Sequence, residues 1–293
     1  MPSTQPDASA ADRAFAQLQQ WLPTRFLSWL IFVITRLRLP AFKNGFIRVF
    51  MKLYNISLAE AQLQRVDEYA SFNEFFTRAL KPGARPLDPQ PGTLLSPVDG
   101  TVSQAGDIVG ERIFQAKGHD YSVEELLGGD AELAAPFAGG KFATIYLAPY
   151  NYHRIHMPLG AVLRHWQYVP GRLFSVNPAT VRGLPGVFAR NERVCAIFDS
   201  EVGPFALVMV GALFVGSMET VWSGQVSPPH KRGGVEQFRP IHPVKLARGE
   251  EMGRFNMGST VILLTAPGAL QWDPVMTPGN PLRMGQRIGY LLR

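Results

Sequence analysis

The chain has 293 residues, 46% of them hydrophobic, which is enough to bury one large core or two modest ones and excludes a disordered or fibrous protein. Its formal net charge of +6 points to an anionic partner, whether phospholipid, nucleic acid or an acidic substrate. A single cysteine, Cys195 in the apolar run VCAIFD, rules out an internal disulfide framework and a cysteine-based zinc site, and fits a reducing compartment.

In chain order, Met1 to about Asp12 is polar and is expected to be disordered. From Arg13 to Ala59 the chain carries Arg13, Arg25, Arg36, Arg38, Lys43, Arg48 and Lys52 but no Asp or Glu, interleaved with Trp, Phe, Leu and Ile. That mixture suits an anionic membrane surface better than nucleic acid, which calls for basic residues gathered on a polar face. The most apolar run, FLSWLIFVI (Phe26 to Ile34), is too short to span a bilayer, which takes about 18 to 20 residues. The acidic, polar PDASAAD ahead of it is unlike a signal peptide. The expectation is a helix lying in the membrane interface, anchored by Trp21 and Trp29; a basic helix packed on the protein's own core is the alternative.

Helical signals continue to about Leu80, with capping boxes at Ser57 and Glu60 and at Ser71 and Glu74. KPGARPLDPQPG (Lys81 to Gly92) reads as a linker. Beyond it FATIYLA, RVCAIFD, FALVMVGALFVG and STVILLT have the length and composition of strands, and Ser122 with Glu125 starts one short helix among them. The fold class is α+β: N-terminal membrane-associating helices over residues 1–80, a linker over 81–92, and a mostly antiparallel β-rich catalytic domain over 93–293.

Three stretches could carry chemistry. SPVDG (Ser96 to Gly100) holds Asp99 in a tight turn at the start of a strand, where an aspartate commonly bonds its own backbone. YNYHRIHMP (Tyr150 to Pro158) presents His153 and His156 between two prolines, in a segment too short for a stable helix. Metal ligation by this H-x-x-H lacks cysteine or carboxylate support, so no metal is expected. In FNMGSTVILL, Gly258 and Ser259 open an apolar strand, where small residues ordinarily mark a bulge or strand start. Asp99, His156 and Ser259 together offer an acid, a base and a nucleophile.

Read together, P-x-D-G, Y-H-R-x-H-M-P and the C-terminal M-G-S-T resemble phosphatidylserine decarboxylase, the pyruvoyl-dependent enzyme of the bacterial and mitochondrial type. QAKGHDYS, VPGRLFSVN, FARNERV, VGSMETVW and EMGRF extend the resemblance from about Asn73 to the end. Met257 departs from the family's common leucine, a mild change of similar volume. The resemblance implies that Ser259 attacks the Gly258 carbonyl, that an N-to-O acyl shift and β-elimination cut the chain into residues 1–258 and 259–293, and that Ser259 becomes a pyruvoyl group. It implies a Schiff base between that group and the serine amine of phosphatidylserine, loss of CO₂ and release of phosphatidylethanolamine. His156 is then the base of maturation with Asp99 as its orienting partner, and His153 or His156 the proton donor in turnover, His153 being preferred because His156 already serves maturation. The implied partners are an anionic phospholipid in its membrane and the two cleaved chains held as a heterodimer that can assemble further. The implied location is the cytoplasmic face of the cell membrane, as a peripheral protein. Deleting residues 1–56 is expected to weaken membrane association and spare self-cleavage. A membrane-associated serine hydrolase using Asp99, His156 and Ser259 is the alternative, although Ser259 lacks the G-x-S-x-G elbow. A non-catalytic membrane-bound scaffold is the other.

Overall fold

A computed structural model of the chain describes residues 8–214, 217–227 and 233–292. The first seven residues of the polar lead, and Val215 and Gly216 of VGSMETVW, lie outside the described residues. Helix α1 (Ala10–Trp21) begins earlier than composition suggested, because Ser9 and Asp12 form a reciprocal capping box. The Asp12 carboxylate also takes the Arg182 guanidinium, with Nε at 3.0 Å. Gln19 donates to the Thr180 hydroxyl at 2.9 Å and accepts from the Ser175 amide at 2.7 Å, so α1 is fastened to the β-rich part.

Helices α2 (Thr24–Thr35) and α3 (Pro40–Tyr54) follow. Proline opens α3, where its missing N–H costs nothing, and Asn55 ends it in the left-handed conformation. Trp21, Phe26, Leu39 and Leu53 stand mostly exposed along α1 to α3 and their connections. No helix among the described residues is long and apolar enough to cross a membrane. Helix α4 (Phe72–Phe76) is capped by Ser71, as its sequence predicts. Ser57 starts no helix: its hydroxyl accepts from the Ala59 amide in a turn, and Glu60 is drawn to Arg85 and Arg283, stronger partners than an amide.

Phe72, Phe75 and Phe76 of α4 pack with Ile47 and Phe50 of α3 into an aromatic cluster separate from the main core. The stretch expected to be a linker is instead tied down, with Arg85 paired to Asp99 and the Asp88 amide donating to the Gly285 carbonyl at 2.9 Å.

The β-rich part centres on a nine-stranded sheet. Its spatial order runs Glu236–Phe238, Ala161–Val169, Arg193–Ser200, Gly203–Val210, Thr260–Thr265, Lys141–Tyr146, Gly100–Asp107, Pro281–Leu282, with Val244–Leu246 also on Ala161–Val169. Every ladder in it is antiparallel, as expected from strands this short and turn-bounded. Thr260–Thr265 is buried along its whole length between Lys141–Tyr146 and Gly203–Val210. A second sheet of four strands, Gly224–Ser227, Met218–Thr220, Glu251–Phe255 and Arg154–His156, lies in order beside it. One passage from the second sheet to the first, from Glu251–Phe255 to Thr260–Thr265, is made by the four residues Asn256, Met257, Gly258 and Ser259.

Candidate active site

That four-residue crossing is held at both ends. The Asn256 side chain donates to Ser217 Oγ at 2.7 Å and Glu219 Oε1 at 2.8 Å, and its carbonyl accepts from Asn73 at 2.7 Å. On the other side the Ser259 carbonyl accepts from the Leu147 amide at 2.9 Å, extending the ladder of the Thr260–Thr265 strand. Gly258 is thereby fixed between two sheets. A Cβ placed on it would stand 2.7 Å from Nε2 of His153, so only glycine lets the imidazole come this close.

Ser259 is 3% exposed, and its hydroxyl finds no hydrogen-bond partner among the described residues. A buried, unbonded hydroxyl costs free energy, which a purely structural serine would avoid. His153 is likewise fully buried, with neither ring nitrogen partnered among the described residues. Its ring lies against Phe76 of α4 with centroids 4.0 Å apart, and its carbonyl accepts from the Phe255 amide at 3.1 Å. Burial, aided by the nearby Arg78 charge, pushes its pKa down to about 3, so the imidazole is neutral at physiological pH.

His156 sits in the Arg154–His156 strand opposite Glu251. Its Nδ1 donates to the Gly249 carbonyl at 2.8 Å, which fixes the lone pair on Nε2, and Nε2 accepts from the Tyr152 hydroxyl at 2.9 Å. Burial lowers the pKa of this histidine too, and pushes that of Tyr152 up to about 12, so the pair is neutral imidazole and neutral phenol.

Asp99 is placed by Gly100, whose Cβ would collide with the Tyr146 carbonyl at 2.6 Å. The expected bond from Asp99 to His156 is not formed. The carboxylate grips Arg85 at 2.8 and 2.5 Å and accepts from the Met284 amide at 2.8 Å. A bidentate guanidinium outcompetes an imidazole N–H for a carboxylate, and the Gly249 carbonyl takes over the fixing of the tautomer. Asp99, His156 and Ser259 therefore share a region without forming a bonded relay, which removes support from the hydrolase alternative.

Tyr152, Gly249 and Arg85 went unrecognised in the sequence. Tyr152 carried a signal, standing next to His153 in YNYHRIHMP, whereas Gly249 acts through its backbone alone. Against Gly258 lies an apolar cavity of about 270 Å³, walled by Ile31 of α2, Phe46 and Phe50 of α3, Phe76 and Leu147. Such a cavity suits a hydrocarbon.

Fold and site together define an α+β protein whose serine is sealed inside a chain crossing, unlike the exposed nucleophile of a hydrolase. The family profile described as phosphatidylserine decarboxylase matches residues 72–290, and one described as PSD matches residues 14–55. The phosphatidylserine decarboxylase proenzyme of Pseudomonas fluorescens is 54% identical over 279 residues, covering 94% of this chain and 97% of that protein. The proenzyme of the same name from Bordetella pertussis is 52% identical over 284 residues, covering 94% of each. The chain belongs to the phosphatidylserine decarboxylase family.

Proposed function

We propose that this protein cleaves itself between Gly258 and Ser259 and then converts phosphatidylserine to phosphatidylethanolamine and CO₂. The observation that carries this is the buried, unpartnered Ser259 hydroxyl directly after a glycine pressed by a neutral imidazole. Relatives named as proenzymes, more than half identical over nearly the full chain, support it.

For maturation, Ser259 Oγ adds to the Gly258 carbonyl carbon, the peptide C–N bond gives way to an ester, and elimination across Cα and Cβ of Ser259 releases Gly258 as a carboxylate and leaves a dehydroalanine with a free amine. One water then replaces that nitrogen by the ketone oxygen, releasing ammonia. His156 is the proposed base: its bond to Gly249 keeps the lone pair on Nε2, which holds the Tyr152 hydroxyl and takes the serine proton once that hydroxyl turns away. Asp99 acts as a positioning carboxylate, through Arg85 and the Met284 amide, rather than on His156 itself. Met284 lies on the small-chain side of the cut, so this contact would help keep residues 1–258 and 259–293 together as a heterodimer.

The residues present fit a pyruvoyl group at position 259: the hydroxyl that would be lost has no partner among the described residues to leave stranded, and an apolar cavity lies against the neighbouring Gly258. That group would supply a ketone as electron sink for the substrate amine. His153, neutral and beside Gly258, is the proposed proton donor in turnover. His153 is buried against Phe76 and the cavity beside Gly258 is largely apolar, surroundings that hydrate a carboxylate poorly and so favour loss of its charge.

Helices α1 to α3 bring the protein to its lipid. Trp21 is 88% and Leu53 72% exposed in a stretch that is basic and free of acids, which supports peripheral attachment to an anionic leaflet, on the cytoplasmic face where the lone cysteine stays reduced. Lipid analysis after incubation with phosphatidylserine vesicles tests the function. Wild type is expected to form phosphatidylethanolamine and Ser259→Ala none; equal conversion by both would refute it.

A further inference from the structure

A second cavity, of about 410 Å³ and polar, lies on the other side of Tyr54, which lines both. Arg78, Arg85, Asp99, Tyr150 and Tyr152 are among its walls. Within this cluster three guanidiniums share two carboxylates. Arg85 holds Asp99 and Glu60, and Glu60 also takes Arg283. Arg78 is the one left over. It is only 7% exposed; Nη2 donates to the Tyr150 carbonyl at 3.3 Å, and Nη1 has no partner among the described residues.

A guanidinium taken out of water without a direct ion pair is destabilising, since Asp99 and Glu60, both bonded to Arg85, attract Arg78 only from a distance, and an apolar or amide side chain would fill the same space at less cost. Burial accordingly lowers its proton affinity, and its charge bears on His153, so the cation stands close to the Gly258–Ser259 bond.

We propose that Arg78 is the receptor for the phosphodiester of the phospholipid headgroup, the lipid lying across Tyr54 with its acyl chains in the apolar cavity. The proposal rests on the decarboxylase function set out above. A guanidinium offers paired N–H donors that match two oxygens of an oxyanion. The headgroup has two oxyanions, and the chemistry selects between them. Pairing Arg78 with the carboxylate would stabilise a charge that the transition state must disperse, raising the barrier. The phosphodiester keeps its charge throughout and remains in the product.

The test uses dihexanoyl phosphatidylserine and dihexanoyl phosphatidylethanolamine, with calorimetric binding to the full-length Ser259→Ala chain with and without Arg78→Gln. Loss of a charged hydrogen-bonded contact should weaken both lipids alike, by about 10- to 100-fold, with Arg78→Lys between the two. Unchanged affinity for both overturns the proposal, and weakening of phosphatidylserine alone reassigns Arg78 to the carboxylate and overturns it as well. Since no carboxylate among the described residues forms an ion pair with it in the empty chain, Arg78→Gln should melt no lower than its parent. A variant that misfolds or melts lower gives Arg78 a structural role and also refutes the idea. In the self-cleaving background Arg78→Gln should still cut itself, and its KM for dihexanoyl phosphatidylserine should rise far more than its kcat falls. If wild type forms no phosphatidylethanolamine, the underlying function fails, whatever Arg78 does.

Discussion

At Gly258 one methyl group decides whether the site can assemble. Gly258→Ala would push a Cβ into His153, whose ring is clamped by Phe76 and cannot retreat cheaply. Overpacking of this kind costs about 1–3 kcal/mol, so the variant is expected to lose that much stability and to cut itself at least about tenfold more slowly, as read by gel densitometry over time. His153 also gives the fold a pH dependence of definite sign. Its folded pKa of about 3 lies below the ordinary histidine value, so the unfolded chain binds the extra proton and stability falls as pH drops from about 6.5 towards 3. The loss should be about 1 kcal/mol per pH unit in urea melts of the Ser259→Ala chain. His153→Phe should flatten this slope; a slope unchanged in His153→Phe would show that the proton goes elsewhere. Ser259, His153, His156 and Asp99 were all legible in the sequence as candidates for chemistry. Their contacts were not, because Arg85 sits in a Pro- and Gly-rich stretch and Gly249 works through its carbonyl, and neither leaves a pattern in side-chain types.

The elements repeat that division. Period, length and turn residues were enough to read Lys141–Tyr146, Arg193–Ser200 and Thr260–Thr265 as strands, and Ser71 and Ser122 as helix caps. Ser57 misled because a capping box is only a local offer, and Glu60 had ionic partners far along the chain. More consequential is α3, which basic and apolar composition marked as a membrane element. In the structure it borders the candidate site, since Phe46 and Phe50 wall the cavity at Gly258 and pack on the phenylalanines of α4, of which Phe76 lies against His153. Deleting residues 1–56 should therefore not spare self-cleavage, contrary to expectation from sequence; the truncated chain should expose Phe72 and Phe76 and be aggregated or uncut by size exclusion and gel. Phe72→Ala, which empties a fully buried position in that cluster, should cost about 3–5 kcal/mol in chemical melts.

On the scale of the whole molecule, a basic, apolar run of helices precedes a β-rich body, and the crossing from Glu251–Phe255 to Thr260–Thr265 in that body is the proposed point of cutting. The exposed aromatics Trp21, Phe26 and Trp29, proposed as membrane anchors, do not line the cavity at Gly258. Serine at Trp21, Phe26 and Trp29 should lower binding to phosphatidylserine vesicles at least about tenfold, given about 1.5–3 kcal/mol for each fully buried apolar side chain, while self-cleavage proceeds normally. At the other end, residues 259–293 supply Thr260–Thr265 from the middle of the main sheet, paired on both edges. The cut halves should accordingly elute as one species until denaturant is added. Intact-protein mass spectrometry under denaturing conditions, on wild type beside Ser259→Ala, tests the central claim most directly. Wild type should give two chains parted after Gly258, the smaller carrying a pyruvoyl group in place of an N-terminal serine, and Ser259→Ala one full-length chain. A single uncut chain from both, in wild type that still converts phosphatidylserine, would contradict it.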